Sequence, residues 1–172
     1  MRNLLLDVQQ LSKRFGERLA VDQVSFSVYE GQTLGLLGPN GAGKSSTVNM
    51  ICGLLSADSG RVLLAGQGMG SGAHPIKKKL GLVPQDLALY EELSALNNLK
   101  LFGALYGLSG KLLQMRCDAV LDLVSLRDRA KDRTQDFSGG MKRRLNIAAA
   151  MLHDPILLIL DEPTVGVDPQ SR

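Results

Sequence analysis

A chain of 172 residues, 44% of them hydrophobic, is long enough to bury a core of its own and too apolar to be a disordered tail. Its net charge of +3 is too small to argue for nucleic acid by itself, and the basic clusters are local, at Lys77 to Lys79 and Lys142 to Arg144. No run approaches the roughly 20 apolar residues that span a bilayer. The start, MRNLLLDVQQ, meets a charge at Asp7 and makes a poor signal peptide. Cys52 and Cys117 lie too far apart for metal-ligand spacing and read as reduced thiols of a cytosolic protein.

In chain order, Val24, Phe26 and Val28 alternate with Ser25, Ser27 and Tyr29, the period of a half-buried strand. Glu30 and Gly31 make a turn, QTLGLL (32–37) reads as the next strand, and KSSTVNMICGLL (44–55) reads as a helix. A short strand, RVLLAG (61–66), and a glycine-rich surface loop, GQGMGSGAH (66–74), follow. KLGLVPQD (79–86) is a strand that ends in a loop at Pro84. From about residue 90 to 152 the chain reads as helix, with Leu93, Leu96, Leu99 and Leu101, then Val120, Leu121 and Val124, recurring at helical spacing. Pro155 stops the helix. ILLIL (156–160) is a short, continuous apolar run, the pattern of a strand covered on both faces in a parallel sheet. The order is thus a β-rich start, an α/β piece, a helical insertion, and α/β again.

Three stretches carry chemistry. Between the strand at 32–37 and the helix lies GPNGAGKSS: Gly38, Pro39, Asn40, Gly41, Ala42, Gly43, Lys44, Ser45 and Ser46. Gly38, Gly43, Lys44 and Ser45 fit the phosphate-loop pattern G-x-x-x-x-G-K-[ST]. Glycines let backbone N–H groups turn inward around phosphate oxygens, and the helix behind adds its positive end. Lys44 can reach the β- and γ-phosphates and Ser45 can ligate Mg²⁺. The apolar run ends in Asp161 and Glu162, two acids at the C-terminal end of a buried strand, where α/β sheets bind ligands. Asp161 would hold Mg²⁺ and Glu162 would orient or deprotonate the attacking water. The third stretch is DFSGGMKRRL (136–145), in which Ser138 is a natural N-cap and Gly139 and Gly140 open a helix. Alone, it reads as a capped helix.

Together these stretches, with Gln85 and with GVD (166–168), come in the order and approximate spacing of the ABC ATPase family. The run FSGGMKRRLNIAAAMLHDPILLILDEPTVGVDP most resembles the ATPase subunits of bacterial ABC exporters of the drug-resistance and nodulation-factor kind. The resemblance implies an α/β phosphate-loop NTPase core with an N-terminal antiparallel β subdomain. A helical signature subdomain (87–150) would be inserted in a single ATPase domain that covers 1–172. It implies ATP and Mg²⁺ as ligands and ATP hydrolysis as the reaction, powering export through an integral-membrane permease. The protein would then lie in the cytoplasm, peripheral on the inner face of the membrane, with no direct nucleic-acid contact.

The resemblance also gives two glycine elements a reason to coexist. In the family two ATPase domains pair head to tail, as a homodimer or pseudo-dimer. The loop of one (Gly38 to Ser46) faces the Ser138–Gly140 helix of the other across ATP. It further implies that Phe15 stacks on adenine, although a core aromatic is the rival reading of that residue. Gln85 would touch Mg²⁺ and the attacking water, and Asp168 would cross the dimer interface. His74 and His153 match nothing catalytic and read as surface or loop residues. Met141 stands where many members have glutamine. Family members continue beyond the GVDPQSR region into a strand that bears a γ-phosphate-contacting histidine and lies between the phosphate-loop strand and the ILLIL strand, so this chain is expected to be an incomplete domain. A nucleotide-binding module without turnover, and an ABC ATPase acting on ribosomes or DNA, are the alternative readings.

Overall fold

Alternating apolar residues make the first element, β1 (Leu4–Phe15), the spine of an antiparallel sheet. The computed structural model describes residues 2–70, 72 and 74–161, and the chain divides into two units, Met1–Lys77 and Lys78–Arg172. In the first unit β1 pairs with β2 (Arg18–Tyr29) on one side and β3 (Ser59–Leu64) on the other; β4 (Gln67–Gly68) completes the order β2-β1-β3-β4.

Strict alternation would put Val8 and Leu11 on opposite faces, yet both are 1% exposed. A bulge reconciles them: the register slips between the two, where Gln10 takes φ 47°. The Gln10 N–H, lost to the ladder, donates to Ser25 Oγ at 2.8 Å, and on the facing strand the Gln23 N–H donates to Ser12 Oγ at 2.9 Å. Val21, Val28, Val62 and Leu64 complete the buried face, joined by Val48, Met50 and Ile51 of helix α1 (Lys44–Ile51). This helix is shorter than the periodicity predicts. Gly53 turns left-handed at φ 63°, the amides of Leu54 and Leu55 fold back onto the Asn49 carbonyl, and Lys77 Nζ donates to the Gly53 carbonyl at 2.8 Å. The loop expected at 66–74 includes the short strand β4.

One expected strand is not formed. Residues 32–39 carry no regular structure, and Leu34, Leu36 and Leu37 are 43, 38 and 96% exposed. A strand exists only through its ladder, and no described strand pairs with this segment.

In the second unit β5 (Leu80–Val83) and β6 (Leu157–Leu160) run parallel, with Leu80 opposite Leu157 and Val83 opposite Leu160. Helices α2 (Ala95–Leu105), α3 (Gly110–Leu123) and α4 (Gly139–Met151) pack around Leu99, Cys117, Leu121, Leu126, Leu145 and Leu152. Each such leucine contributes about 1.5–3 kcal/mol by leaving water. Burial also pushes the Cys117 thiol pKa up, which keeps it an inert core residue. The helical expectation over 90–152 fails at 90–94, at 106–109 and at 124–138, and in the last of these two short 3₁₀ turns and a bridge between Ser94 and Arg133 replace it. Buried Asn98 explains the detour: its amide joins the Tyr90 backbone (2.8 Å) to Thr134 Oγ1 (3.0 Å), tying 90 to 134 across the base of α2.

ILLIL was expected to be covered on both faces. Residues 157–160 do form β6, but they are half-buried and Leu160 is 43% exposed, since the described sheet has only two strands. His153, expected at the surface or in a loop, sits in the turn after α4 but is half-buried. Its ring stacks on Tyr106 at 3.7 Å and its Nε2 meets the Leu80 carbonyl at 3.1 Å. No helix among the described residues is long and apolar enough to cross a membrane.

Candidate nucleotide-binding site

The phosphate loop is fixed to the first sheet at Gly43. This residue is the N-cap of α1 at φ 85°, and a Cβ there would lie 2.3 Å from the Ala20 carbonyl oxygen on β2. Only glycine satisfies both the left-handed turn and that approach. Gly41 is left-handed as well (φ 81°), and its carbonyl accepts from Arg18 Nη2 at 3.3 Å. The β1–β2 hairpin therefore holds the loop from below. At its tip Phe15 is 50% exposed with Lys13 Nζ 5.8 Å from the ring centroid, so the rival reading of Phe15 as a core aromatic does not hold.

Helix α1 begins without a side-chain cap and without an acid in its first turn. Its first N–H groups have no partner within the helix. Thr47 turns inward instead, its Oγ1 donating to the Gly43 carbonyl at 2.9 Å. Ser45 and Ser46 stand at the open end. Lys44 Nζ bridges the Gly38 (2.8 Å) and Pro39 (3.0 Å) carbonyls over the loop. An uncapped positive helix end, a primary amine and the exposed Ser45 form a donor set that fits a polyphosphate and its metal. Mg²⁺ typically takes one or two protein ligands beside phosphate oxygens.

In the second unit the structure brings Gln85 and Asp161 together. They follow β5 and β6 at the same end of the parallel pair, and the Asp161 N–H donates to the Val83 carbonyl at 3.0 Å. Gln85 is exposed and Asp161 half-buried. Glu162 and Asp168 lie outside the described residues.

The third stretch forms α4 as its cap predicts: Ser138 Oγ accepts from the Met141 N–H at 3.3 Å. Ser138 and Gly139 are exposed, and a Cβ on Gly140 would meet nothing within 4 Å. At its other end α4 lies backbone-close to β5, because a Cβ on Gly81 would come within 2.5 Å of the Ala150 carbonyl.

Sequence reasoning missed Arg143. In KRR it looks like part of a solvated basic face, yet it is 5% exposed. Its guanidinium donates to the carbonyls of Pro84, Gln85 and Asp161. The available signal was spacing: Arg143, Asn146 and Ala150 share one face of α4, and all three are buried.

Residues 21–165 match the family described as ABC transporter. The linearmycin resistance ATP-binding protein LnrL of Bacillus subtilis is 49% identical over 168 residues, 98% of this chain and 54% of that protein. The Nod factor export ATP-binding protein I of Cupriavidus pinatubonensis is 40% identical over 98% of this chain and 52% of that protein. The chain thus spans about half the length of the curated relatives it matches. Among solved structures, an ATP-binding subunit of an ABC transporter superposes with a TM-score of 0.82 at 35% identity, over 96% of this chain and 69% of that one. The cbiO1 protein of Clostridium perfringens, part of the ABC transporter complex cbiONQ, gives 0.85 at 27% identity, over 97% and 68%. The α/β architecture, the phosphate loop and these matches agree: the chain belongs to the ABC transporter family, as its ATP-binding domain.

Proposed function

We propose that this chain binds Mg-ATP on the loop from Gly38 to Ser46 and that the whole protein hydrolyses it to drive export through a membrane permease. The observation that carries the reading is the start of α1, which has a left-handed glycine seated on β2, no side-chain cap and no acid in the first turn. That is a helix end built to face an anion. Phe15, exposed at the hairpin tip, is the candidate to stack on adenine.

In this reading Lys44 neutralises the β- and γ-phosphates, and Ser45, Asp161 and Gln85 hold the metal. Mg²⁺, when bound, would neutralise negative charge on the β- and γ-phosphates. Glu162 accepts a proton from the attacking water and Gln85 orients it. A second copy, or a similar domain, presents Ser138 to Gly140 to the γ-phosphate, with Asp168 crossing between them. Two-fold pairing then builds two such sites at once. The helical segment 87–150 is read as an inserted subdomain facing the permease, on the inner side of the membrane. The export role rests on relatives named for drug resistance and Nod factor export.

The test is thermal unfolding and turnover of the whole protein with Mg-ATP. A ligand at about 100 times its Kd adds about 2.7 kcal/mol to the folded state. The melting midpoint should rise with Mg-ATP, Lys44→Ala should abolish the rise, and Glu162→Gln should keep it while stopping phosphate release. A midpoint indifferent to Mg-ATP would overturn the reading. Unchanged hydrolysis in Glu162→Gln would remove that residue from the mechanism.

A further inference from the structure

Arg143 lies one turn beyond Gly139 in α4, and its donors cross to two strand ends. Nη1 reaches the Pro84 carbonyl at 2.7 Å and the Gln85 carbonyl at 3.1 Å, and Nη2 reaches the Asp161 carbonyl at 3.1 Å. The planar fork of a guanidinium can span both ends at once, whereas an ammonium is a single point. The same loop is tied to the start of α4 a second time. Lys142 pairs with Glu91, the Gln135 N–H donates to the Glu91 carbonyl, and the Thr134 N–H donates to the Leu93 carbonyl, the last two at 2.9 Å. The segment from Pro84 to Leu93 is thus fastened to the helix that Ser138 caps through Arg143 at Pro84 and Gln85 and through Lys142 at Glu91, and to the 3₁₀ turn before that helix through Thr134 and Gln135.

We propose that Arg143 is a positioning residue, which holds the Gln85 loop and the Asp161 strand end in one setting relative to the Ser138-capped helix. Through it, a shift of α4 is transmitted to the carbonyl of Gln85 and to that of Asp161 together. The inference rests on the proposed roles of Gln85 and Asp161, and it adds a residue that acts through their backbone carbonyls.

The experiment combines amide hydrogen exchange of the nucleotide-free whole protein with Mg-ATP binding and turnover, for wild type, Arg143→Lys and Arg143→Met. Losing charge-assisted bonds to the loop should speed exchange in the peptide covering 84–92 by about tenfold or more, with the α2 and α3 peptides unchanged. ATP affinity should stay within about twofold while kcat falls about tenfold or more and the Mg²⁺ needed for half-maximal turnover rises. Lysine keeps the charge and helps the variant fold, yet should restore little of kcat. Unchanged exchange at 84–92 would overturn the proposal. So would exchange rising across the whole unit with kcat following the melting midpoint, since that marks a residue that only holds the fold. A wild type without Mg-ATP turnover refutes the proposed function and the catalytic consequence of Arg143 with it. Wild-type turnover with unaltered variants refutes the arginine's role alone.

Discussion

Gly140→Ala separates what folding needs from what the proposed reaction needs. Gly140 sits in the first turn of α4 with an ordinary helical φ, and the added methyl would have nothing within 4 Å among the described residues. Folding therefore gains from the change. Alanine in a helix is better than glycine by roughly 0.5–1 kcal/mol, and a first-turn position takes the lower end. The melting midpoint of the whole protein should rise by about 1–2 °C. Turnover should go the other way. If the bare backbone at 138–140 faces the γ-phosphate held by a partner domain, the methyl keeps its N–H groups at a distance. Removing one such donor from a transition state typically costs about 10²–10³ in rate. Calorimetry and steady-state phosphate release on one preparation read both effects. Two results refute the reasoning: a lower midpoint, which would mean that Gly140 packs within the fold, or a raised midpoint with full turnover, which would mean that no ligand or partner approaches there.

Gly43→Ala should behave in the opposite sense. Its methyl meets both the left-handed φ of 85° and the Ala20 carbonyl oxygen at 2.3 Å, so unfolding should come easier by about 2–4 kcal/mol, with Mg-ATP binding lost as the loop lifts off β2. Denaturant titration checks the first effect and equilibrium binding the second. His153 should make stability fall on mild acidification. Burial, helped by nearby Arg116, holds its pKa below the ordinary 6.5, against smaller opposing effects of the Leu80 carbonyl and Asp154. Just below pH 6.5 the unfolded chain therefore binds a proton that the folded chain does not. The contribution is complete above 6.5 and is lost as pH falls through the window beneath it. Protonation would also create a donor at the buried Nδ1, which has no hydrogen-bond partner among the described residues. His153→Gln, which can still donate to the Leu80 carbonyl, should flatten the melting midpoint between about pH 7 and 5 relative to wild type. An equal slope in both proteins would rule this out.

The parts legible in the sequence are those whose geometry is set within a few residues. The loop at 38–46 needs its glycines locally, and Ser138 caps the helix that begins at the next residue. The apolar run 157–160 is a strand because few other structures suit a short run without polar alternation. The parts that were illegible depend on neighbours distant in sequence. QTLGLL has the composition of a strand, but a strand also needs a partner, and composition does not supply one. Asn98 and Thr134, 36 residues apart, break the helical run at 124–138 by a bond that no periodicity reveals. Arg143 was hidden for the same reason, because its acceptors come 58 and 59 residues earlier and 18 later.

The two glycine-rich helix starts now differ on physical grounds. Gly43 is required by the chain itself, since a carbonyl of its own sheet occupies the place of a side chain. Gly140 is not, since the space beside it is open and an alanine would make the better helix. A residue that costs helix stability and relieves no contact among the described residues is best explained by something that approaches from outside. The open backbone of a capped helix start admits an anion most readily. The head-to-tail pairing proposed for this family member supplies one, the γ-phosphate on a partner's loop. Arg143, one turn further along the same helix, would then carry the effect of that approach to the carbonyls of Gln85 and Asp161.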